Sequence, residues 1–279
     1  MKKEEVRKVV REGYAQVAKR ENSCCTPSGS CCGATNMAAE IGKKAGYTDE
    51  GLQSVPEGAN LGLGCGNPVA LALLKEGEIV LDLGSGAGFD CFLAANKVGR
   101  NGRVIGVDMT PEMVEKARES AQKGNYENVE FRLGEIENLP VADNCVDKII
   151  SNCVVNLSPD KGRVFEEAFR VLKAGGRLMV SDIVLVNELP DLIKNSATAY
   201  IGCLSGAITR DEYIEAVKNS GFQEVSIIEE TSFPLDCMAS DPTAQGLASG
   251  LGVSGEELRK IGSSVRSMTL YGVKPNKRT

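Results

Sequence analysis

The regular alternation of short apolar strands with capped helices between residues 79 and 184 most constrains how this chain can fold. IVLDLG (79–84), RVIGVD (103–108), VEFRLG (129–134), VDKIISN (146–152) and RLMVSDIV (177–184) read as strands. Helical segments stand between them, and parallel strands require such crossovers. Thr110-Pro111 reads as the cap and opening of a helix ending near Gly124. Ser158-Pro159 reads the same way for a helix ending at Gly175-Gly176. A hydroxyl at the cap, proline at the first helical position and glycine past the end are the expected punctuation. Val164, Phe165, Ala168, Phe169 and Leu172 give the second helix one apolar face. The pattern predicts an α/β fold, a Rossmann-like open sheet with helices on both faces.

The flanks are less regular. Residues 2–20 predict an amphipathic helix with Val6, Val9, Val10 and Val17 on one face, and ENSCCTPSGSCCGAT (21–35) predicts a loop. A short helix is expected around Met37 to Lys44. After Asp182, helices are expected through 191–204 and 210–219, the latter begun by Thr209. FQEVSIIEE (222–230) and SMTLYGVKP (267–275) predict two late strands, with a further helical segment inside 236–262. Three regions result: a helical, cysteine-rich segment at 1–60, a Rossmann-like cofactor-binding part at 61–185, and a C-terminal α+β region at 186–279. The last is expected to complete the sheet edge and cap the site.

Composition narrows the function classes. A hydrophobic fraction of 42% and a charged fraction of 25% describe a globular chain able to bury a core. Lys+Arg 32 against Asp+Glu 38 leaves a net charge of −6, so neither a nucleic-acid footprint nor a basic membrane-binding face is expected. No apolar run approaches the roughly 18 residues of a membrane span, and the charged N-terminus holds no signal-peptide core, so a cytoplasmic location is expected. The chain has no histidine and no tryptophan but ten cysteines, at 24, 25, 31, 32, 65, 91, 145, 153, 203 and 237. Without histidine, the commonest general base and metal ligand is missing. In a reducing compartment these thiols stay free, so sulfur is the expected working element.

LDLGSGAGFD (81–90) stands at a strand-to-helix turn, where open α/β sheets bind ligands beyond the carboxyl ends of their strands. Gly84, Gly86 and Gly88 form GxGxG, whereas the pyrophosphate fingerprint is GxGxxG. That spacing suits a ligand without phosphate. Asp108 ends the second strand, where a carboxylate can accept two ribose hydroxyls, and Glu135 follows the third. Together these features resemble the class I methyltransferases over about residues 75 to 185. The resemblance implies S-adenosylmethionine as methyl donor, held by Asp82, Gly84, Ser85, Gly86, Asp108, Met109, Glu135, Ile136 and Asn152.

The acceptor is read from cysteines. Cys65 lies in LGLGCGNP ahead of the first strand, Cys153 just past the fourth, and Cys203 in the segment after the fifth. All three could converge over the transferred methyl, whereas Cys91 and Cys145 read as small buried side chains. GCGNP, LDLGSGAGFDC, GVDMT, GEIENLP, SNCVVNLSPDK and GCLSGA together resemble the arsenite S-adenosylmethionine methyltransferases, from about residue 12 to 235. That resemblance implies Cys65, Cys153 and Cys203 as arsenic(III) ligands and one N-terminal cysteine in the redox steps. Cys32 is the first choice for that partner, followed by Cys31, then Cys24 and Cys25.

The chemistry is consistent. Arsenite at neutral pH is mainly uncharged As(OH)3, so an acidic protein does not repel it, and three thiols replace its three hydroxyls and release three waters without any histidine. Expected partners are arsenite or its thiol adducts and a reductant such as thioredoxin or a glutathione-like thiol. Two other classes remain open at this point. One is a methyltransferase of a small organic acceptor with structural cysteines, which predicts activity surviving replacement of Cys153 and Cys203. The other is a non-catalytic thiol protein that sequesters zinc or arsenic, although the central cysteines lack the close pairing of structural zinc sites.

Overall fold

The computed structural model describes residues 3–19, 33–189, 193, 200, 203–232 and 262–276. Seven strands form one sheet: β1 (Ile79–Leu83), β2 (Arg103–Asp108), β3 (Val129–Leu133), β4 (Val146–Asn152), β5 (Leu172–Leu185), β6 (Gln223–Ser232) and β7 (Val265–Val273). Their order is β3-β2-β1-β4-β5-β7-β6. The first five run parallel, and β7 pairs antiparallel with β5 along Arg177–Leu185. The late strands expected near 222–230 and 267–275 therefore join the same sheet.

The central strands are apolar on both faces, as a sheet covered on both sides demands. Leu81, Ile149 and Leu178 point into one apolar layer, Val80, Ile150 and Met179 into the other. This is the period-two alternation of a strand. Helix α5 (Phe89–Val98) fills the second layer with Cys91, Phe92 and Ala94. Helix α6 (Pro111–Lys123) adds Val114 and Ala117 to it. Helix α7 (Lys161–Val171) covers the first layer with Val164, Phe165 and Ala168, and Phe165 stacks edge-on against Tyr213 of α8 (Arg210–Asn219). Thr209 and Glu212 close a capping box at the start of α8.

Two helix boundaries depart from the sequence reading. The N-cap of α7 is Asp160, whose side chain accepts from the Arg163 amide. Ser158 instead accepts from the Asp160 amide and donates to Glu137, so its hydroxyl is spent on the loop. At the other end α7 stops at Val171, and Gly175-Gly176 lies inside β5. Leu172 belongs to that strand, paired with Val146. At Thr110 the side chain makes no capping bond, and the carboxylate of Asp108 takes the Thr110 amide instead.

Helix α1 (Lys3–Lys19) lies across the carboxyl edge of the sheet. Val6 and Val10 pack in a cluster with Cys153, Leu157, Ile183 and Cys203, while Ala18 meets Ala87 and Met113. Helix α2 (Gly33–Lys44) leads to the loop carrying Tyr47. Cys24, Cys25, Cys31, Cys32 and Cys237 lie outside the described residues, as do most of the helix expected at 191–204 and nearly all of 236–262. No helix among the described residues is long and apolar enough to cross a membrane.

Candidate active site

A cleft of about 1130 Å³, its open mouth included, lies beyond the carboxyl ends of β1, β2 and β4. The β1–α5 turn makes its floor. Gly84 sits at φ +68, and a Cβ there would overlap the side chain of Val154, so glycine is required twice over. The Gly84 and Ser85 amides donate to the Val107 carbonyl at 2.8 and 3.0 Å, which ties the turn to β2. Asp108 then accepts from the amides of Gly86 at 2.9 Å and Thr110 at 2.8 Å. Burial raises its carboxyl above the usual range, and the two amides oppose that rise.

A second acid group lies deeper. Asp82 is 2% exposed and accepts from the Cys91 thiol at 3.2 Å. Burial and the charge of Asp90 push the Asp82 carboxyl well up, and burial with Asp82 pushes the Cys91 thiol up. Asp90, on the first turn of α5, accepts from the Tyr47 hydroxyl at 2.6 Å and the Asn152 amide at 3.1 Å. Burial raises it to about 6 against those two bonds. Tyr47 is itself held well above the phenol range, by burial and then by Asp90. Burial penalises each charge in such a cluster, and a cation entering beside it offsets that penalty.

Of the residues expected at the cofactor, Asp82, Gly84, Ser85, Gly86, Asp108, Met109, Ile136 and Asn152 all line this cleft. Glu135 does not. Its carboxylate pairs with Arg7 at 3.4 Å and Arg11 at 3.5 Å on α1, and the cleft is lined beside it by Ile136 and Glu137. Sequence reasoning missed Arg7, Tyr47 and Asp90, which also line it. The acid two residues past the last glycine of the turn, in GFD, was a usable signal for Asp90. Tyr47 and Arg7 carried none, because distant segments bring them in.

The three central cysteines meet at one end of the cleft. Cys65 and Cys153 are joined as a disulfide with Cα atoms 5.9 Å apart, and the Cys203 thiol donates to the Cys153 carbonyl at 3.0 Å. Cys153 lines the cleft, while Cys65 and Cys203 adjoin it from outside the lining. Cys153 and Cys203 both hold left-handed backbone, at φ +56 and +62. Such conformations are costly for residues with a Cβ and persist only where the surroundings impose them. Part of that imposition is visible: the Cys153 amide donates to the Ser181 carbonyl at 2.8 Å, and the next loop is pinned on buried Asp182. Asp182 accepts from the Asn156 amide and side chain, from the Ile183 amide and from the Tyr213 hydroxyl. Cys91 is buried in the core, and Cys145 is half-buried with its thiol on the Ala142 carbonyl.

A five-strand parallel sheet extended by an antiparallel β7, with a glycine turn after β1 and an acid ending β2, defines the class I methyltransferase fold. Residues 74–226 match the methyltransferase domain family. The chain belongs to that family and, within it, to the arsenite methyltransferases. It is 48% identical over 256 residues to the arsenite methyltransferase of Halobacterium salinarum, covering 88% of this chain and 65% of that protein. It is 36% identical to the arsenite methyltransferase of Aquipseudomonas alcaligenes, covering 91% of this chain and 70% of the relative. The crystal structure of an arsenic(III) S-adenosylmethionine methyltransferase from Chlamydomonas reinhardtii superimposes with a TM-score of 0.61 at 32% identity, covering 85% of this chain and 73% of that one. The chain thus spans about two thirds of the length of these relatives.

Proposed function

We propose that the chain transfers methyl groups from S-adenosylmethionine to arsenite bound by Cys65, Cys153 and Cys203, giving methylated arsenicals. One observation carries this reading. Three cysteines separated by 88 and 50 positions gather at the rim of the methyltransferase cleft, with Cys153 in its wall.

The cleft fits the donor. The Ser85 hydroxyl is buried without a partner among the described residues, Gly86 has open space where a Cβ would stand, and the Asp108 carboxylate is held in the cleft wall by the Gly86 and Thr110 amides. Asp108 would take the ribose hydroxyls, the 84–86 turn the methionine part, and Asp82 with Asp90 the cationic end. Bound there, S-adenosylmethionine supplies an electrophilic methyl on a sulfonium. The protein's own contribution is placement: holding arsenic's lone pair in line with the methyl removes much of the entropic barrier, about 7–11 kcal/mol at best. Loss of positive charge at the sulfonium during transfer is favoured by a site closed to water, and α1 covers the cleft with Arg7, Val10 and Tyr14.

Methylation through the lone pair takes arsenic from the trivalent to the pentavalent state. Two thiolates closing to a disulfide return two electrons to it, and the vacated arsenic position takes water with loss of a proton. Cys65 and Cys153 are within disulfide reach. A thiol reductant, thioredoxin or a glutathione-like thiol, then reopens the pair by exchange. Cys32 is proposed as the additional redox cysteine. Residues 61–185 serve as the cofactor-binding part, 1–60 as the segment bringing the redox cysteine, and 186–279 as the thiol-site cap. A cytoplasmic, reducing location keeps these thiols available.

The test is arsenic speciation by chromatography and mass spectrometry after incubation with arsenite, S-adenosylmethionine and excess thiol. Methylated arsenic that vanishes on Cys153→Ser or Cys203→Ser supports both reaction and site. No methylated product from folded, cofactor-binding protein across a panel of reductants overturns the reading in favour of an organic acceptor. Cys32→Ser slows multiple turnover and spares trivalent arsenic binding; unchanged turnover with all four N-terminal cysteines replaced removes the redox role.

A further inference from the structure

The loop that carries Cys65 has no helix or strand of its own to fix it. Residues 61–67 are irregular, and the backbone amides around the sulfur need partners from elsewhere. Asn152, the last residue of β4 and the neighbour of Cys153, supplies them. Its Oδ1 accepts from the Cys65 amide at 3.0 Å and the Gly66 amide at 3.3 Å. Its Nδ2 donates to the Gly66 carbonyl at 2.8 Å, so both sides of one carboxamide grip the loop. The second proton of Nδ2 is shared between Asp90 at 3.1 Å and the Tyr47 hydroxyl at 2.9 Å. Tyr47 in turn donates to the other oxygen of Asp90 at 2.6 Å. Gly64 fits against this amide because a Cβ there would stand 2.6 Å from Nδ2.

The carboxamide can serve this network in one orientation only. Two amide donors face its oxygen, while a carbonyl, a carboxylate and a phenol face its nitrogen. A carboxylate at this position would set an oxygen against Asp90 and the Gly66 carbonyl. An alanine would leave two amides unpaired in a half-buried loop.

We propose that Asn152 is the positioning residue of Cys65: held by Asp90 and Tyr47, its carboxamide sets the Cys65 loop against Cys153, and so joins the wall of the cofactor cleft to the thiol cluster. Asp90 and Tyr47 act through Asn152 on a sulfur they do not touch. The inference rests on Cys65 being an arsenic ligand, and its test separates the two.

The probe is arsenite, which takes three thiols, titrated into reduced protein without cofactor and with Cys24, Cys25, Cys31 and Cys32 replaced by serine. Binding that weakens sharply on adding Cys65→Ser upholds the ligand reading; binding unaffected by Cys65→Ser overturns that reading and, with it, this inference. Given the first result, Asn152→Asp weakens arsenite binding at least about tenfold, the worth of one lost hydrogen bond to a charged group. Adding Asp90→Asn to Asn152→Asp returns a donor to face the new acceptor and recovers part of that affinity, while Asp90→Asn alone does not raise it. Affinity unchanged in Asn152→Asp, or a double variant no better than the single one, overturns the positioning role. A measurement on the wild type guards against variants that fail to fold. In reduced protein the Cys65 and Gly66 amides exchange with deuterium as slowly as those of β1, and fast exchange there overturns the proposal.

Discussion

The cofactor cleft and the thiol cluster share one rim yet are built by different means. The cleft is set by the sheet itself: the Gly84 turn, Asp108 and Asp82 stand at strand ends whose register is fixed by the parallel pairings of β1 with β2 and β4 and of β2 with β3. The thiol cluster is assembled from segments around 65, 153 and 203 that belong to no common element. It is held by side-chain hydrogen bonds and the Cys65–Cys153 disulfide, with two cysteines in left-handed backbone. A site on regular backbone is rigid at little cost, whereas one built from loops must be pinned residue by residue. The two halves should therefore fail separately and by different amounts.

The largest effect belongs to the thiol half. Cys153→Ser removes a wall residue of the cleft and, with it, a proposed arsenic ligand, so methylated arsenic should fall by roughly a hundredfold or more, equivalent to about 3 kcal/mol of lost transition-state stabilisation. Binding of S-adenosylhomocysteine, followed by calorimetry, should stay close to wild type. Equal loss in both measurements would mean that the halves are one structural unit.

Asp108→Asn reverses the test. It turns one of the two oxygens that face the Gly86 and Thr110 amides into a donor, and removes the carboxylate proposed to take the ribose hydroxyls. Affinity for S-adenosylhomocysteine should drop about thirtyfold, within the range for hydrogen bonds to a charged group. Arsenite binding should be retained, because the bonds of Asp108 go to the Gly86 and Thr110 amides on the other side of the cleft from the cysteine loops.

These two outcomes also mark what was legible in the sequence. Alternating strands and glycine punctuation placed Gly84, Gly86 and Asp108 at the sheet's carboxyl edge, and there the structure agrees. Local pattern failed where tertiary contacts decide. Ser158 carries the residue type of a cap, yet Glu137 and the Asp160 amide take its hydroxyl, and Asp160 caps α7 instead. Gly175 and Gly176 look like a helix end, yet pairing of Val146 with Leu172 already extends β5 through them. Glu135 stands after β3 as expected, but Arg7 and Arg11 arrive from α1, 128 and 124 positions earlier in the chain, and draw it out of the lining. Tyr47 and Asn152 meet across 105 positions for the same reason. No spacing rule in the sequence encodes such pairs.

The acids of the cleft give the third prediction, of about tenfold. Asp90 titrates at about 6, raised by burial, and Asp82 is raised by burial and by Asp90. Below that pH Asp90 takes up a proton, and the cleft loses a negative charge that would attract a cationic donor. S-adenosylmethionine affinity should fall by about tenfold from pH 7.5 to pH 5, a change of about 1.4 kcal/mol. Stability responds with the opposite sign. Unfolded aspartates titrate near about 3.9, so between that value and about 6 the native state binds more protons than the unfolded one. The contribution of these groups to stability therefore rises as pH falls through that window. Asp90→Asn should flatten the pH dependence of cofactor affinity; an unaltered slope would place the titrating group elsewhere.

The smallest effect on turnover is expected behind the thiols. Asp182 is fully buried and accepts four hydrogen bonds from Asn156, Ile183 and Tyr213. Burial raises it to about 6, against the pull of those bonds and of Lys161. Asp182→Asn keeps the shape but turns one acceptor into a donor facing donors, which costs about 2 kcal/mol. In a chain of this size that lowers Tm by roughly 4–8 °C. Methylation at 25 °C should change only a few-fold, because the loop carrying Cys153 is also tied by its own amide to Ser181 and by Asn156 to the Ile183 carbonyl. A loss of arsenical binding as large as that of Cys153→Ser, with Tm unchanged, would show that Asp182 aims the sulfurs directly. The thiol half would then depend on a single buried carboxylate, as the cofactor turn depends on Asp108, and the contrast between the two halves would disappear.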